Sequence, residues 1–410
     1  MIKKWFKNIG PGPLIAAAFI GPGTITVCTL AGVHFGFALL WAMVLSIVAT
    51  IVLQEMSARV GIVSQKGLSE IIRTEIKNPF LKWFTIVLIL SAIVIGNAVY
   101  EAGNISGSIL GLETIVGNSY FNIGTFSFNY LSLLIGVIAF VLLYIGNYKV
   151  LEKALISLVI SMSLAFLITA IITKPVITAI FSSIFKPSLP KEGILTVIAL
   201  IGTTVVPYNL FLHASLVTEK WKSVSDLNHA KKDTIIAVIL GGVVSMCVII
   251  SAAAIQGSEI NSAADLAKGL EPLFGSFAKY FLAIGLFAAG ITSAITAPLA
   301  AAYVTSGCLG WSTSLKSGKF RAVWMFILLL GVLFSSLGIK PIDVIKFAQI
   351  ANGILLPIIA AFLLWIMNKK SVLGIYKNNI IQNILGFIIL AISILLSVAT
   401  LNKVFSLNLF

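Results

Sequence analysis

The sequence predicts an all-α polytopic membrane protein built from two inverted repeats of five helices and an additional eleventh helix. Two observations predict this class. The chain is 59% hydrophobic with only 10% charged residues, whereas soluble proteins carry about 25% charged residues. In addition, two of its apolar segments are interrupted in corresponding places. A chain of 410 residues with this composition is therefore expected to cross a membrane many times.

Apolar runs of about 20 residues, the length a helix needs to cross a bilayer, recur along the whole chain. They predict eleven helices, at residues 12–33, 36–58, 83–110, 129–147, 154–173, 194–217, 235–256, 276–304, 322–338, 344–368 and 379–402. The connections are short, so we expect one membrane domain over residues 1–410. The two repeats would cover about 12–173 and 194–368, with 379–402 as the extra helix.

The distribution of basic residues predicts the orientation in the membrane. If the N-terminus, with Lys3, Lys4 and Lys7, is cytoplasmic, most of the 28 Lys and Arg residues fall on the cytoplasmic side. The C-terminus is then outside, and the predicted location is a bacterial-type plasma (inner) membrane. The net charge of +14 is thereby a topology signal. We expect membrane lipid as a partner and no nucleic acid.

The first apolar segment contains a stretch that does not favour a continuous helix. Residues 18–27 read AFIGPGTITV, with Gly21, Pro22 and Gly23 in the middle. Proline removes a backbone donor, and glycine weakens a helix on either side. Within a membrane, such a break is tolerated only where it is buried in protein or lines a cavity.

The sixth segment, which reads LIGTTVVPYNLFLHASLV, repeats this feature with Gly202 and Pro207. Two interrupted helices in corresponding positions of two halves are typical of inverted-repeat secondary transporters, whose substrate site lies where the breaks meet. Hydroxyl and amide side chains cluster at both breaks: Thr24, Thr26, Thr203, Thr204, Tyr208 and Asn209. The alternative is that the threonines bond back to their own helices.

Glu101, in GNAVYEAGN, is the clear case of a carboxylate within a predicted span. Burying a carboxylate in a membrane is costly, so a functional role is the first hypothesis. The alternative is a protonated or hydrogen-bonded structural residue. Glu55 lies at the end of the second helix beside Arg59, and we expect these two residues to form an interfacial ion pair.

The residues in these segments resemble the NRAMP family, proton-coupled importers of divalent transition metals with a LeuT-like fold. The resemblance lies in GPGPLIAAAFIGPGT, LAGVHFGFALLWA and LQEMSARVGIVSQKGLSE in the first two helices. It returns in IGTTVVPYNLFLHASLV and GLFAAGITSAIT of the sixth and eighth helices. It implies a secondary active transporter with a LeuT-like fold. It also implies that His213, which matches a family histidine, moves protons; the alternative is a packed, hydrogen-bonded histidine.

The chain departs from the family pattern at the metal ligands. Where the family has Asp-Pro-Gly-Asn, this chain has Gly-Pro-Gly-Thr at residues 21–24, and Met-Pro-His becomes Val206-Pro207-Tyr208. Ile291 stands where the family commonly has glutamine. The resemblance therefore implies a divergent member that lacks the family's metal-binding side chains. The candidate substrate-binding residues are Gly21, Thr24, Thr203, Val206, Tyr208 and Asn209.

Two functions are compatible with these departures. The first is a carrier of a divalent cation, more readily magnesium than manganese or iron, because Thr24, Thr203 and free carbonyls are oxygen ligands. The second is a carrier of a small organic solute such as an amino acid. Glu101 and His213 are the candidates for coupling to a proton, and sodium is the alternative coupling ion. We expect no cofactor, and no enzyme motif is found; a sensor without transport is a remote alternative.

Overall fold

In a computed structural model, residues 20–117, 119–123, 126–146 and 149–406 are described. The longer helices are α1 (Pro22–Phe35), α2 (Leu40–Ser64), α4 (Pro79–Val116), α5 (Tyr130–Ile145), α6 (Lys149–Ile172), α8 (Ile194–Thr204), α9 (Pro207–Lys220), α10 (Leu227–Ala253), α13 (Ala278–Leu309), α14 (Gly318–Ser335), α15 (Pro341–Met367) and α17 (Ile380–Phe405). The shorter helices are α3 (Leu68–Glu75), α7 (Ile177–Phe185), α11 (Ala263–Ala267), α12 (Glu271–Phe274) and α16 (Lys370–Leu373).

Helices occupy the predicted spans, with ends that differ by several residues. Within the described residues, nine helices are long and apolar enough to cross a membrane, with α8 and α9 taken together. The helix α5 is also apolar but has only 16 residues. The start of the first predicted span, residues 12–19, lies outside the described residues. The division into repeats at 12–173 and 194–368 stays a prediction.

The structure contains elements that a search for apolar runs misses. An antiparallel hairpin of β1 (Tyr120–Ile123) and β2 (Phe126–Asn129) joins α4 to α5. The helices α3 and α7 have eight and nine residues. They are too short to span a bilayer, which takes about 20 helical residues. The all-α class is confirmed, with this short hairpin as an addition in a connection between two helices.

Helix α4 is central to the packing, because small residues along it let other helices approach closely. Gly107 lies against Pro22 of α1, and Gly103 against Ala348 of α15. A neighbouring stripe faces α13, where the amide of Asn97 donates to the Ala297 carbonyl over 2.9 Å. Close approach of small residues is the usual basis of helix packing in membranes.

Helices α2 and α9 also pack tightly. The hydroxyl of Ser57 donates to the Leu210 carbonyl. A Cβ added to Gly61 would lie 3.0 Å from the carbonyl carbon of Ala214. The two backbones therefore lie too close at this level for any side chain at position 61.

Candidate substrate site

The sixth apolar segment is interrupted at Val205 and Val206. Helix α8 ends at Thr204, the dihedral angles of Val205 are φ −93° and ψ 69°, and those of Val206 are φ −74° and ψ 120°. Helix α9 then begins at Pro207, a favourable first helical residue because proline lacks the N–H that would be unpaired there. The predicted interruption is confirmed, but it lies past Gly202, which is inside α8.

Gly202 has a packing role instead. A Cβ at this position would lie 2.9 Å from the Gly353 backbone nitrogen and 3.0 Å from the Gln349 carbonyl carbon, both on α15. On the other side of this contact, Gly353 leaves room for Ile198 of α8. Helix α8 is therefore in backbone contact with α15, and glycine is required for this approach.

At the first break, the structure describes the side that leads into α1, from residue 20 onward. Gly21 is extended, with φ −97° and ψ −176°, and α1 begins at Pro22. Gly23 lies inside α1 rather than in the break. A Cβ at Gly23 would lie 2.6 Å from the amide carbon of the Gln349 side chain. The absence of a side chain at this position thus makes room for the Gln349 amide.

Gln349 on α15 connects the two interrupted segments. Its side chain lies against Gly23 of α1, and its backbone lies against Gly202 of α8. Its Oε1 is buried and has no hydrogen-bond partner among the described residues; the same holds for Nδ2 of Asn352 one turn later. Sequence reasoning missed both residues. The signal was present as two amides in an otherwise apolar stretch, FAQIANGILLP.

The polar side chains of the sixth segment fall into two groups. The hydroxyls of Thr203 and Thr204 both donate to the Leu200 carbonyl over 2.9 Å. These two threonines therefore bond back to their own helix, which was the alternative to a role in substrate binding. Asn209, in the first turn of α9, is fully buried, and both of its amide atoms lack partners within the described part of the chain. Unpaired buried amides are costly, so a ligand that pairs with Asn209 would be stabilised.

The remaining candidates near the breaks are also buried. Thr24 is 3% exposed, and Val206 and Tyr208 are fully buried. The Tyr208 ring packs against that of Tyr100 on α4 at a centroid distance of 5.4 Å and an angle of 63°. Val206 offers only hydrocarbon at the break.

Glu101 does not share the face of α4 that carries Tyr100. A Cβ on Gly331 of α14 would lie 2.9 Å from Glu101 Cβ. Consecutive residues of a helix point about 100° apart, so Tyr100 faces α9 while Glu101 faces α14. Its Oε2 accepts from Asn104 over 3.3 Å, and Oε1 has no partner among the described residues. These contacts place the Glu101 carboxylate on the α14 side of α4.

His213 lies on α9 about two turns beyond the break and is fully buried. Its Nδ1 donates to Oε1 of Gln54 on α2 over 2.6 Å, while Nε2 has no partner in the described segments. The alternative of a packed, hydrogen-bonded histidine agrees with this geometry. A free Nε2 also leaves one nitrogen able to take up a proton.

Two cavities lie at the end of the molecule where α1 ends and α15 begins. One, of about 670 Å³, is lined by His34, Glu259, Asp343 and Lys346 among others. The second, of about 630 Å³, includes Glu113 and Lys340. These cavities place water-accessible, charged surface at one end of the α1–α15 interface.

The sixth segment is discontinuous, and the described part of the first segment begins at an extended Gly21 beside it. Such breaks inside an apolar bundle are typical of integral membrane proteins of the secondary-transporter class. Sequence comparison gives the family. The pattern described as natural resistance-associated macrophage protein-like, or Nramp, matches residues 12–403, so the chain belongs to the Nramp family. A curated relative is the divalent metal cation transporter MntH of Caldanaerobacter subterraneus, 27% identical over 97% of this chain and 93% of the relative.

Solved structures agree on the fold. The manganese transporter of Eremococcus coleocola, in complex with an aromatic bis-isothiourea substituted compound, has a TM-score of 0.73 at 20% identity, covering 98% of this chain and 87% of that one. MhsT in complex with L-phenylalanine has a TM-score of 0.56 at 15% identity, covering 95% and 97%. The predicted LeuT-like fold with interrupted first and sixth helices is thereby confirmed.

Proposed function

We propose that this protein is a secondary active transporter of divalent metal cations that prefers a hard cation such as magnesium to manganese or iron. Relatives named as divalent metal cation transporters support the substrate class. The observation that carries the preference is the donor set at the breaks. In the described segments, the break residues themselves contribute buried amide and hydroxyl groups and backbone carbonyls, but neither a thioether nor a carboxylate; the neighbouring Met43 sulfur of α2 accepts from the Thr204 hydroxyl over 3.9 Å.

The chemistry of these donors favours hard ions. Magnesium binds oxygen ligands and keeps much of its water, whereas soft sulfur ligands select later transition metals. The Oε1 of Gln349 is an oxygen without a partner in the described structure, and Val206 cannot coordinate a metal. In the described residues there is also no group of three His, Cys, Asp or Glu side chains placed to hold a metal ion.

The site residues in this proposal are Gly21, Thr24, Val206, Tyr208 and Asn209, extended by Gln349. Carbonyls at the C-terminal end of α8 would add partial negative charge next to the cation. Thr203 has the weakest case, because its hydroxyl already bonds within its own helix.

Glu101 and His213 have the coupling role in this proposal. Each is fully buried, and each has one polar atom without a partner among the described residues. A buried carboxylate facing α14 is better placed to take up a proton than to bind the cation. The coupling ion is therefore a proton in this proposal, with sodium as the alternative.

The distribution of lysine and arginine supports an orientation with the N-terminus in the cytoplasm and the C-terminus outside. With this orientation, the two cavities open to the outside of a bacterial-type inner membrane. The ends of α2, α9 and α15 then lie on the cytoplasmic side.

The test is an uptake screen in proteoliposomes, with Mg²⁺, Mn²⁺, Cd²⁺ and L-amino acids measured side by side. We expect saturable Mg²⁺ uptake that exceeds uptake of the two transition metals. Amino-acid uptake without cation uptake would contradict the proposal and favour the organic solute. Preferred uptake of Mn²⁺ or Cd²⁺ would retain the substrate class but refute the preference for a hard ion.

A further inference from the structure

The two halves of the interrupted sixth segment are attached to different parts of the molecule. Helix α8 is in backbone contact with α15 at Gly202. Helix α9 is attached to α2 through the bond from Ser57 to the Leu210 carbonyl and through the contact at Gly61. The non-helical pair Val205 and Val206 lies between them. The bond from α8 to α2, between the Thr204 hydroxyl and the Met43 sulfur, is long at 3.9 Å. A swing of α9 about this point would therefore carry α2 with it and leave α8 with α15.

A partly buried cluster joins these two parts, and we call it the Arg59 cluster: Arg59 and Glu55 of α2 with Tyr376, Asn378 and Gln382 near the start of α17. Arg59 is 7% exposed. Its Nη1 donates to the Tyr376 carbonyl (3.1 Å) and to Gln382 Oε1 (3.2 Å). Its Nη2 donates to Asn378 Oδ1 (2.9 Å) and to Glu55 Oε2 (3.0 Å). Three of these four bonds thus cross from α2 to the chain that follows α15.

Both charged groups of the Arg59 cluster lie on α2, so α2 can move away from the start of α17 without separating opposite charges. Glu55 and Arg59 belong to the same helix and form the ion pair predicted for them, at 3.0 Å. If α2 moves, this pair moves as a unit, and the guanidinium keeps its counter-ion. The groups left behind are a carbonyl and two amides, which water at the membrane surface can satisfy.

We propose that the Arg59 cluster is the latch that holds this end of the transporter closed, and that its three bonds to Tyr376, Asn378 and Gln382 break when α2 and α9 swing open. The proposal rests on transport by alternating access, but not on the identity of the substrate.

The opposite end of the molecule supports this assignment. The larger cavity there has Glu259, Asp343 and Lys346 in its lining. Within the described part of the chain, none of these three charged groups forms an ion pair. The conformation is therefore open to water at the cavity end and tied at the Arg59 end.

A distance measurement between spin labels tests the latch. The labels replace the exposed residues Lys222, after α9, and Lys377, before α17, in protein with Cys247→Ala. Cys28 and Cys308 are buried. The variant Asn378→Ala/Gln382→Ala removes two of the three crossing bonds and keeps the Glu55–Arg59 pair. We expect the ratio of long to short label distances to rise about ten-fold, because bonds to a charged group favour the closed state.

The matched control is Asn383→Ala. Asn383 bonds to Asn368 and Asn378, both on the α15–α17 side, so none of its bonds crosses to α2. We expect its label distances to match those of the protein without a substitution in the cluster. Unchanged distances in the folded double variant would overturn the proposal, because the cluster would then be a static anchor.

A cross-link tests the same latch with Arg59 in place, also if the double variant fails to fold. The Asn378 amide lies 3.9 Å from the sulfur of Met56 on α2. We expect Met56→Cys/Asn378→Cys protein to stop taking up Mg²⁺ and Mn²⁺ once the two thiols are bridged, and to recover on reduction. Undiminished uptake by fully bridged protein would overturn the latch. Absence of uptake before bridging would instead count against the proposed substrates, and the label distances would still decide on the latch.

Discussion

The two interrupted segments differ in how polar groups reach the break. At the first break, Gly23 makes room for an amide that comes from another helix, Gln349 of α15. At the sixth break, the interrupted residues are the valines 205 and 206, and the nearby threonine hydroxyls bond within their own helix. At the first break, a polar side chain therefore comes from another helix. At the sixth break, the polar groups are mainly backbone carbonyls and the Asn209 side chain of the same segment.

This difference teaches that glycine has two separate roles in one site. Gly202 is required because backbone lies against it, and Gly23 because a flexible side chain lies against it. A side chain at Gly202 would displace the backbone of α15 and so disturb the fold. A side chain at Gly23 would displace the Gln349 amide and so disturb the groups that we propose to bind the substrate. Each substitution below tests one side of this comparison.

The largest effect is expected for Gly202→Ala. The added methyl would meet the Gln349 and Gly353 backbone, which cannot rotate away. Overpacking of this kind costs about 1–3 kcal/mol, and we expect the upper end, measured as a lowered unfolding temperature in detergent. Gly318→Ala is the matched control, because nothing lies within 4 Å of the added atom. Equal unfolding temperatures would show that α8 and α15 do not need this contact.

The second-largest effect is expected for Gln349→Leu. We expect a large loss of uptake and no loss of stability. The Oε1 of Gln349 is buried without a partner in the described residues, so leucine removes an unfavourable burial. If that oxygen binds the cation, uptake should fall at least about ten-fold, which corresponds to about 1.4 kcal/mol. Gln256→Leu, in the lining of the cavity of about 670 Å³, is the control. Normal uptake by Gln349→Leu would show that the Gln349 side chain does not bind the cation.

Glu101→Gln is expected to alter the pH dependence more than the maximal rate. A glutamine keeps an oxygen that accepts from Asn104, so folding should be preserved. Because the amide does not titrate, uptake should lose its response to pH in flux measurements with an imposed pH gradient. A variant with the original pH profile would show that Glu101 is structural and that coupling lies elsewhere.

Thr203→Val should have the smallest effect. The hydroxyl bonds to the Leu200 carbonyl, a bond that contributes little within a helix. We expect uptake and unfolding temperature close to those of the unsubstituted protein. A large fall in uptake would mean that the hydroxyl turns toward the substrate in another state.

The sequence predicted those features that depend on residues close to one another in the chain. Proline and glycine within apolar runs predicted both breaks, and the spacing of Glu55 and Arg59 predicted their ion pair. It was uninformative where contact depends on tertiary packing. Gln349 reaches the first break from a helix more than 300 residues away, and Glu101 faces α14 rather than the site. A one-residue difference in helix phase decides such a direction, and local sequence does not fix it.

Metal selectivity at the breaks tests the central claim most directly. Calorimetric titration with Mg²⁺ and Cd²⁺ is compared between the natural sequence and Gly21→Asp/Val206→Met, which adds a carboxylate and a thioether. We expect the natural sequence to bind Mg²⁺ and to bind Cd²⁺ weakly or not at all, and the double variant to gain Cd²⁺ affinity because soft and charged ligands favour it. Tight Cd²⁺ binding by the natural sequence would contradict an oxygen-lined site for a hard ion.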